Sequence, residues 1–288
     1  MALLTTPFFI LFVLLIGLLP FPLMYLLSDF VSFFLRRVFK YRLKVVRQNL
    51  EKTFQDMDEQ EMQQLIKLVY QNLSDVLLEG IKAFTMSRRQ FIKRHKVIIP
   101  DFLKAYYESG ISIIGVTGHI NNWEWGSISA SYQVSHKILA FYKPLSNKWI
   151  DKLVLWSRIK SGTTLASITE TSLTFERWKG TPTIFLMVAD QSPASKDKAY
   201  WVDFLGRETA FLHGPEKHAR NNDYPVMFTE IRRVKRGYYE VHLSLLAEKP
   251  SALPDGEITR RYVAKLNSLI RSEPQNWLWS HRRWKLSR

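Results

Sequence analysis

The 288-residue chain predicts an α/β fold: a single domain with a mixed, largely parallel central sheet covered by helices, plus an N-terminal membrane-anchoring helix. Three observations lead there. Short β-type runs at 111–117, 137–142, 183–189, 226–231 and 239–246 occur, the first four separated by segments of helical character, which is the pattern of parallel strands joined by crossover helices. No internal repeat and no linker rich in Pro, Gly or Ser divides the chain. The first 28 residues carry no charged side chain, Asp29 being the first.

Taken in order, the apolar run 8–27 holds 20 residues, and 20 helical residues rise about 30 Å, one hydrocarbon thickness. Arg36, Arg37, Lys40, Arg42, Lys44 and Arg47 follow with no acid before Glu51, a flank that stays cytoplasmic under the positive-inside rule. A secretory signal would place its charges before the apolar run instead. Pro20 and Pro22 should kink or break the helix, so a re-entrant or interfacial segment stands beside a straight span. The division expected is an anchor over 1–35 and a catalytic-sized domain over 36–288. Within 58–86, Met62, Leu65, Ile66, Val69, Leu73, Val76 and Leu77 make a helical stripe. Further helices are expected near 122–134, 146–160, 170–179, 213–222 and 256–272. The last two strands read as a hairpin turning at Lys235-Arg236-Gly237.

The chain has 41 Lys and Arg against 26 Asp and Glu, a net charge of +15, which calls for an anionic partner: nucleic acid, an anionic membrane surface, or an acidic carrier or substrate. No RRM, KH, zinc-finger or helix-turn-helix signature occurs, so nucleic acid is not the expected partner. With no cysteine there is no disulfide, no thiol nucleophile and no Cys-containing zinc site. The remaining histidines lack metal-type spacing with carboxylates, and no metal is expected. Phosphate loops, GxGxxG, GxSxG and HExxH are all missing.

One motif carries chemistry. The first strand ends in Gly118-His119-Ile120-Asn121-Asn122-Trp123-Glu124, at the strand-to-helix turn where α/β proteins place their sites. Five residues apart, His119 and Glu124 do not share a face of a regular helix. They meet if His119 lies in the turn and Glu124 in the first helical turn. A carboxylate on one imidazole nitrogen leaves the other as a general base for a hydroxyl. The alternative is a surface His followed by a Glu that complements a helix N-terminus. A non-catalytic membrane scaffold would need neither residue.

The sequence also resembles the late acyltransferases of lipid A biosynthesis, within the wider glycerolipid acyltransferase group with its H-x4-[DE] motif. GHINNWE is similar to that family's GHxxNWE block, and Tyr142-Lys143-Pro144-Leu145-Ser146-Asn147 to its Y-R-P-x-x-N segment. Trp156-Ser157-Arg158-Ile159-Lys160-Ser161-Gly162, Ala189-Asp190-Gln191, Phe204-Leu205-Gly206 with Gly214-Pro215, and the ending Trp277-Leu278-Trp279-Ser280-His281-Arg282-Arg283-Trp284-Lys285 resemble further family elements in the same order.

The resemblance implies an O-acyltransferase of the bacterial inner membrane, its catalytic domain facing the cytoplasm. In it, His119 and Glu124 drive direct attack of a lipid hydroxyl on an acyl thioester. The donor implied is acyl carrier protein, or acyl-CoA; the acceptor is a phosphorylated glycolipid, or a different membrane lipid in a variant of the same chemistry. No cofactor is implied beyond the thioester co-substrate. Asn122, Lys143, Arg158, Asp190, Gln191 and Arg282 are the expected substrate-binding residues. Arg158 suits a phosphate or an oxyanion, whereas Lys143 replaces the family's usual Arg and loses its bidentate fork. The terminal string is either a site-lining or membrane-interface segment, or indoles packed into the core.

Overall fold

A computed structural model of the chain describes residues 2–197 and 199–288. Seven strands form the central sheet in the order β1-β9-β8-β2-β5-β3-β4: β1 (His95–Ile98), β2 (Ile113–Thr117), β3 (Lys137–Tyr142), β4 (Thr164–Ser167), β5 (Thr183–Val188), β8 (Val226–Lys235) and β9 (Tyr238–Ala247). All neighbours are parallel except the β8/β9 hairpin. The pair β6 (Ala199–Asp203) and β7 (Glu208–Leu212) forms a separate antiparallel ribbon. The mixed, largely parallel sheet expected is thus present, with every expected strand in it. Four strands lie outside the expectation, and two of them, β1 and β4, are four-residue sheet edges too short to show a period. The central strand β2 is buried over its first four residues, as a strand covered on both faces must be.

Between the strands run α7 (Trp123–Ser131), α8 (Lys148–Ile159), α9 (Thr171–Arg177) and α10 (Gly214–Asn222), with α11 (Glu257–Ser272) after the hairpin. The N-terminal half supplies α1 (Ala2–Leu18), α2 (Phe21–Phe33), α3 (Leu43–Thr53), α4 (Glu59–Lys82), α5 (Arg88–Arg94) and α6 (Asp101–Glu108). Helix α4 starts where the side chain of Asp58 accepts from the Glu61 N–H and Glu61 accepts from Asp58, a reciprocal capping box.

The apolar run 8–27 does not form one straight helix, and the break falls where Pro20 and Pro22 were expected to kink or interrupt it. It breaks at Leu19 and Pro20, since a residue before proline is pushed out of the helical region and Pro22 is tolerated only in a first turn. The break is held open by Lys82, whose ammonium donates to the carbonyls of Gly17 (2.5 Å) and Leu19 (2.6 Å) that end α1. Helix α2 then lies against α4, burying Phe21, Met24, Ser28 and Ser32, and is tied there by Ser28 Oγ to Asp75 (2.6 Å) and Tyr25 Oη to Glu79 (2.7 Å). Among the described residues no helix is long and apolar enough to cross a membrane.

Candidate active site

Parallel register assembles the site. Thr117 at the end of β2 pairs with Val188 at the end of β5, and the ladder runs one step further, Ala189 N–H donating to Thr117 O (3.0 Å). His119 and Asp190 each lie two residues past that pair, so the two side chains emerge together at the carboxyl ends of adjacent central strands. His119 Nδ1 is 2.6 Å from Asp190 Oδ1, and the His119 N–H donates to Asp190 Oδ2 at 2.8 Å. Trp277 Nε1 donates to the same Oδ2 at 2.8 Å. Asp190 is buried and its three N–H donors fix the carboxylate as an ionised acceptor.

With Nδ1–H given to Asp190, the lone pair of Nε2 is the basic one, and Gln191 Nε2 sits 3.2 Å from it. Burial alone would lower the His119 pKa, but the charge and hydrogen bond of Asp190, with a contribution from Glu124, raise it above the ordinary value. Burial alone would raise the Asp190 pKa, but His119 and Trp277 hold it below the usual carboxylate range.

Glu124 does not take the place expected of it. It lies in the first turn of α7, as anticipated, but its carboxylate pairs with Arg158 of α8 and accepts from Trp123 Nε1 (3.1 Å); the imidazole's partner is Asp190. The edge of Trp123 packs against His119, with ring centres 5.1 Å apart. Asn122, expected to bind substrate, is fully buried and engaged within the protein. Its Oδ1 caps α7 by accepting from Trp125 N–H (2.9 Å) and its amide donates to Glu79 (2.6 Å). Asn121 adopts φ +52°, a conformation Asn tolerates, held by bonds to Asn276 O (2.9 Å) and Ile231 O (2.7 Å).

Lys143 is exposed on the loop after β3, and Arg282 is exposed as well. The buried arginine of the terminal string is its neighbour Arg283, whose guanidinium donates to Ala210 O (2.7 Å) and lies 4.3 Å from the Phe211 ring centre. Trp277 and Trp279 are buried, so the terminal string packs its indoles into the core, and through Trp277 it also lines the site.

Next to the pair, an apolar cavity of about 130 Å³ runs between the sheet and α7. Glu124, Arg158 and Trp123 supply its polar end. Gly126, Ala130, Ala140, Leu186 and Met227 are among the apolar residues behind them. Its mostly apolar walls suit a hydrocarbon chain, with the charged groups at one end. Behind the motif, Glu79 of α4 is fully buried and accepts from Tyr25 (2.7 Å), Tyr239 (2.8 Å) and Asn122 (2.6 Å). Burial pushes its carboxyl up to about 7, against the hydrogen bonds of the two tyrosines. Nothing in the sequence pattern marks Glu79, because it acts through long-range contacts, whereas Trp277 belongs to the terminal string that the sequence already offered as site-lining. Among the described residues no group of three or more His, Asp or Glu could hold a metal ion.

An imidazole held by a buried carboxylate at the ends of parallel strands, with an apolar cavity nearby, is the arrangement of an α/β enzyme site. The chain belongs to the bacterial lipid A biosynthesis acyltransferase family, whose model matches residues 3–286, and it is an acyltransferase. It is 23% identical over 270 residues to the lipid A biosynthesis lauroyltransferase of Escherichia coli strain K12, covering 93% of this chain and 87% of that protein. It is 22% identical over 255 residues to a lipid A biosynthesis acyltransferase of Haemophilus influenzae, covering 86% and 79%.

Proposed function

We propose that this acyltransferase moves a fatty acyl chain from the thioester of acyl carrier protein to a hydroxyl of a lipid A precursor, at the cytoplasmic face of the bacterial inner membrane. The observation that carries this reading is the His119–Asp190 pair beside an apolar cavity whose polar end bears Glu124 and Arg158. His119 Nε2 takes the proton of the acceptor hydroxyl as its oxygen attacks the thioester carbonyl. Asp190 holds the ring in the Nδ1–H tautomer and stabilises the imidazolium that forms. The tetrahedral oxyanion collapses, breaking the C–S bond; the thiolate leaves and takes the proton from Nε2, giving an ester and a free carrier thiol.

Glu124 adds negative charge near the imidazolium and aims Arg158, whose guanidinium then faces a phosphate of the acceptor or the developing oxyanion. Gln191, next to Nε2, yields its place to the acceptor hydroxyl. With no cysteine, the chain cannot hold the acyl group on a thiol of its own, which favours direct transfer. The net charge of +15 suits both an acidic carrier and a phosphorylated glycolipid. The N-terminal residues 1–35 serve as the membrane attachment of the domain 36–288.

Mass spectrometry of envelope glycolipids from cells with and without the protein tests this. One added secondary acyl chain on lipid A is the expected product, absent with His119→Ala. Retained transfer by that variant refutes the base. A product only on an unphosphorylated lipid, or only from acyl-CoA, replaces the acceptor or the donor.

A further inference from the structure

Helix α8 is two-sided. Ser157 is buried on its inner side, and Arg158 there holds Glu124 at the polar end of the cavity. The outer side exposes Trp149 (56%), Trp156 (56%) and Ile159 (53%), spaced seven and three residues apart and so on one stripe of the helix. Isolated exposed apolar residues are ordinary, but two half-exposed indoles on one helix face mark an interaction surface. Lysines are interleaved with them. Lys152 Nζ lies 5.3 Å from the Trp149 ring centre and Lys160 Nζ 5.2 Å from that of Trp156, while Lys148 is exposed at the helix start.

This stripe does not stand alone. Helix α1 packs beside α8, and an open groove of about 480 Å³ between them is lined by Pro7, Ile10, Leu11 and Leu14 on one side and Trp149 on the other. Helix α1 carries no charged side chain, and Phe8, Leu11, Leu15 and Leu18 are exposed along it. An uncharged helix running into a Trp–Lys stripe grades from hydrocarbon to headgroup chemistry. Indoles lie at headgroup level, lysine stems lie along apolar surface, and ammonium groups meet phosphates.

We infer that α8 and α1 together form a docking face for the surface of an anionic phospholipid bilayer. The two helices lie in the interface instead of crossing it, and α8 sets Arg158 and the cavity mouth at headgroup depth. The occupant is a lipid surface and not a second copy of the chain for two reasons. The face is continuous with the charge-free α1, and its only charges are cations on a chain of net charge +15, which repels its own copies. The inference builds on the proposed lipid acceptor only for its functional consequence; docking itself is measured without turnover.

The test uses the purified full chain and vesicles of phosphatidylglycerol and phosphatidylethanolamine. The wild-type protein is expected to float with the vesicles and to lose binding as phosphatidylglycerol is withdrawn. The double variant Trp149→Gln, Trp156→Gln is expected to bind at least about tenfold more weakly. In detergent micelles its transfer rate should stay within about twofold of wild type, and on vesicle-embedded acceptor it should fall with the binding. Equal vesicle binding by the double variant overturns the inference, and so does a wild-type dimer that the variant converts to monomer. Vesicle binding that depends on the two indoles, in a protein that acylates no lipid A precursor, would leave the docking face standing and remove the proposed function.

Discussion

Replacing Asp190 with Asn tests the site at its most informative atom. The carboxylate accepts from the His119 N–H and Trp277 Nε1 on Oδ2 and faces His119 Nδ1 through Oδ1. An Asn side chain keeps its carbonyl oxygen on the first two donors, so the loop stays in place. Its amide then directs an N–H at Nδ1, which must accept. The ring proton is driven to Nε2, the nitrogen that has to take the acceptor's proton, and the base is switched off. General-base contributions of about 10²- to 10⁴-fold correspond to roughly 2.7–5.5 kcal/mol of transition-state free energy, and Asp190→Asn is expected to lose kcat in that range. The pH profile carries a second readout. A general base works deprotonated, so activity rises with pH through the His119 pKa, which Asp190 raises and burial lowers. Without the Asp190 charge, burial remains and the acid limb of kcat/KM moves to lower pH. The assay is transfer of labelled acyl groups from acyl carrier protein across pH. Wild-type kcat with an unmoved limb in Asp190→Asn would refute the pairing, and a limb moved by Glu124→Gln instead would return Glu124 to the imidazole.

The remaining predictions concern the support of the site. Glu79→Gln should remove one pH-dependent contribution to stability. A carboxyl raised to about 7 by burial favours its protonated form in the folded state, so the contribution of Glu79 falls as pH rises from about 4.5 to 7, by roughly 3 kcal/mol, and the difference in thermal stability between wild type and Glu79→Gln should change in that sense across the window. Gly126 lines the cavity, and a Cβ there meets nothing closer than Ile231 Cδ1 at 4.0 Å. Gly126→Leu is therefore expected to fold and to shift donor preference to shorter acyl chains, read by competition between acyl carrier proteins of different chain length. Gly237 turns the β8/β9 hairpin at φ +74°, and an added Cβ would lie 1.9 Å from Tyr25 Oη. Gly237→Ala should cost about 1–3 kcal/mol in denaturant unfolding and loosen the Tyr25 bond to Glu79.

Much of this protein is written in local pattern. Short β-type runs and the helical segments between them determined the sheet-and-helix alternation. The GHINNWE segment determined that a histidine would stand at a strand end with a glutamate opening the next helix, since strand termination and N-terminal acid preference are both local effects. The charge-free start of the chain and its basic flank were equally readable. What tertiary structure decided is which groups meet. Asp190 reaches His119 because β2 and β5 are parallel neighbours in a register that pairs Thr117 with Val188, and strand order and register follow from packing over the whole sheet. The imidazole therefore found a carboxylate 71 residues away, and Glu124, five residues away, was left to Arg158. The same holds at the two ends of the chain. The prolines announced a break in the apolar run, but only packing brought Lys82 to close α1 there, and the C-terminal indoles enter the core, where Trp277 touches Asp190. The exposed indoles of Trp149 and Trp156 stand on α8. Composition supplies such groups, but only the packed fold determines which of them water, lipid or a partner side chain can reach.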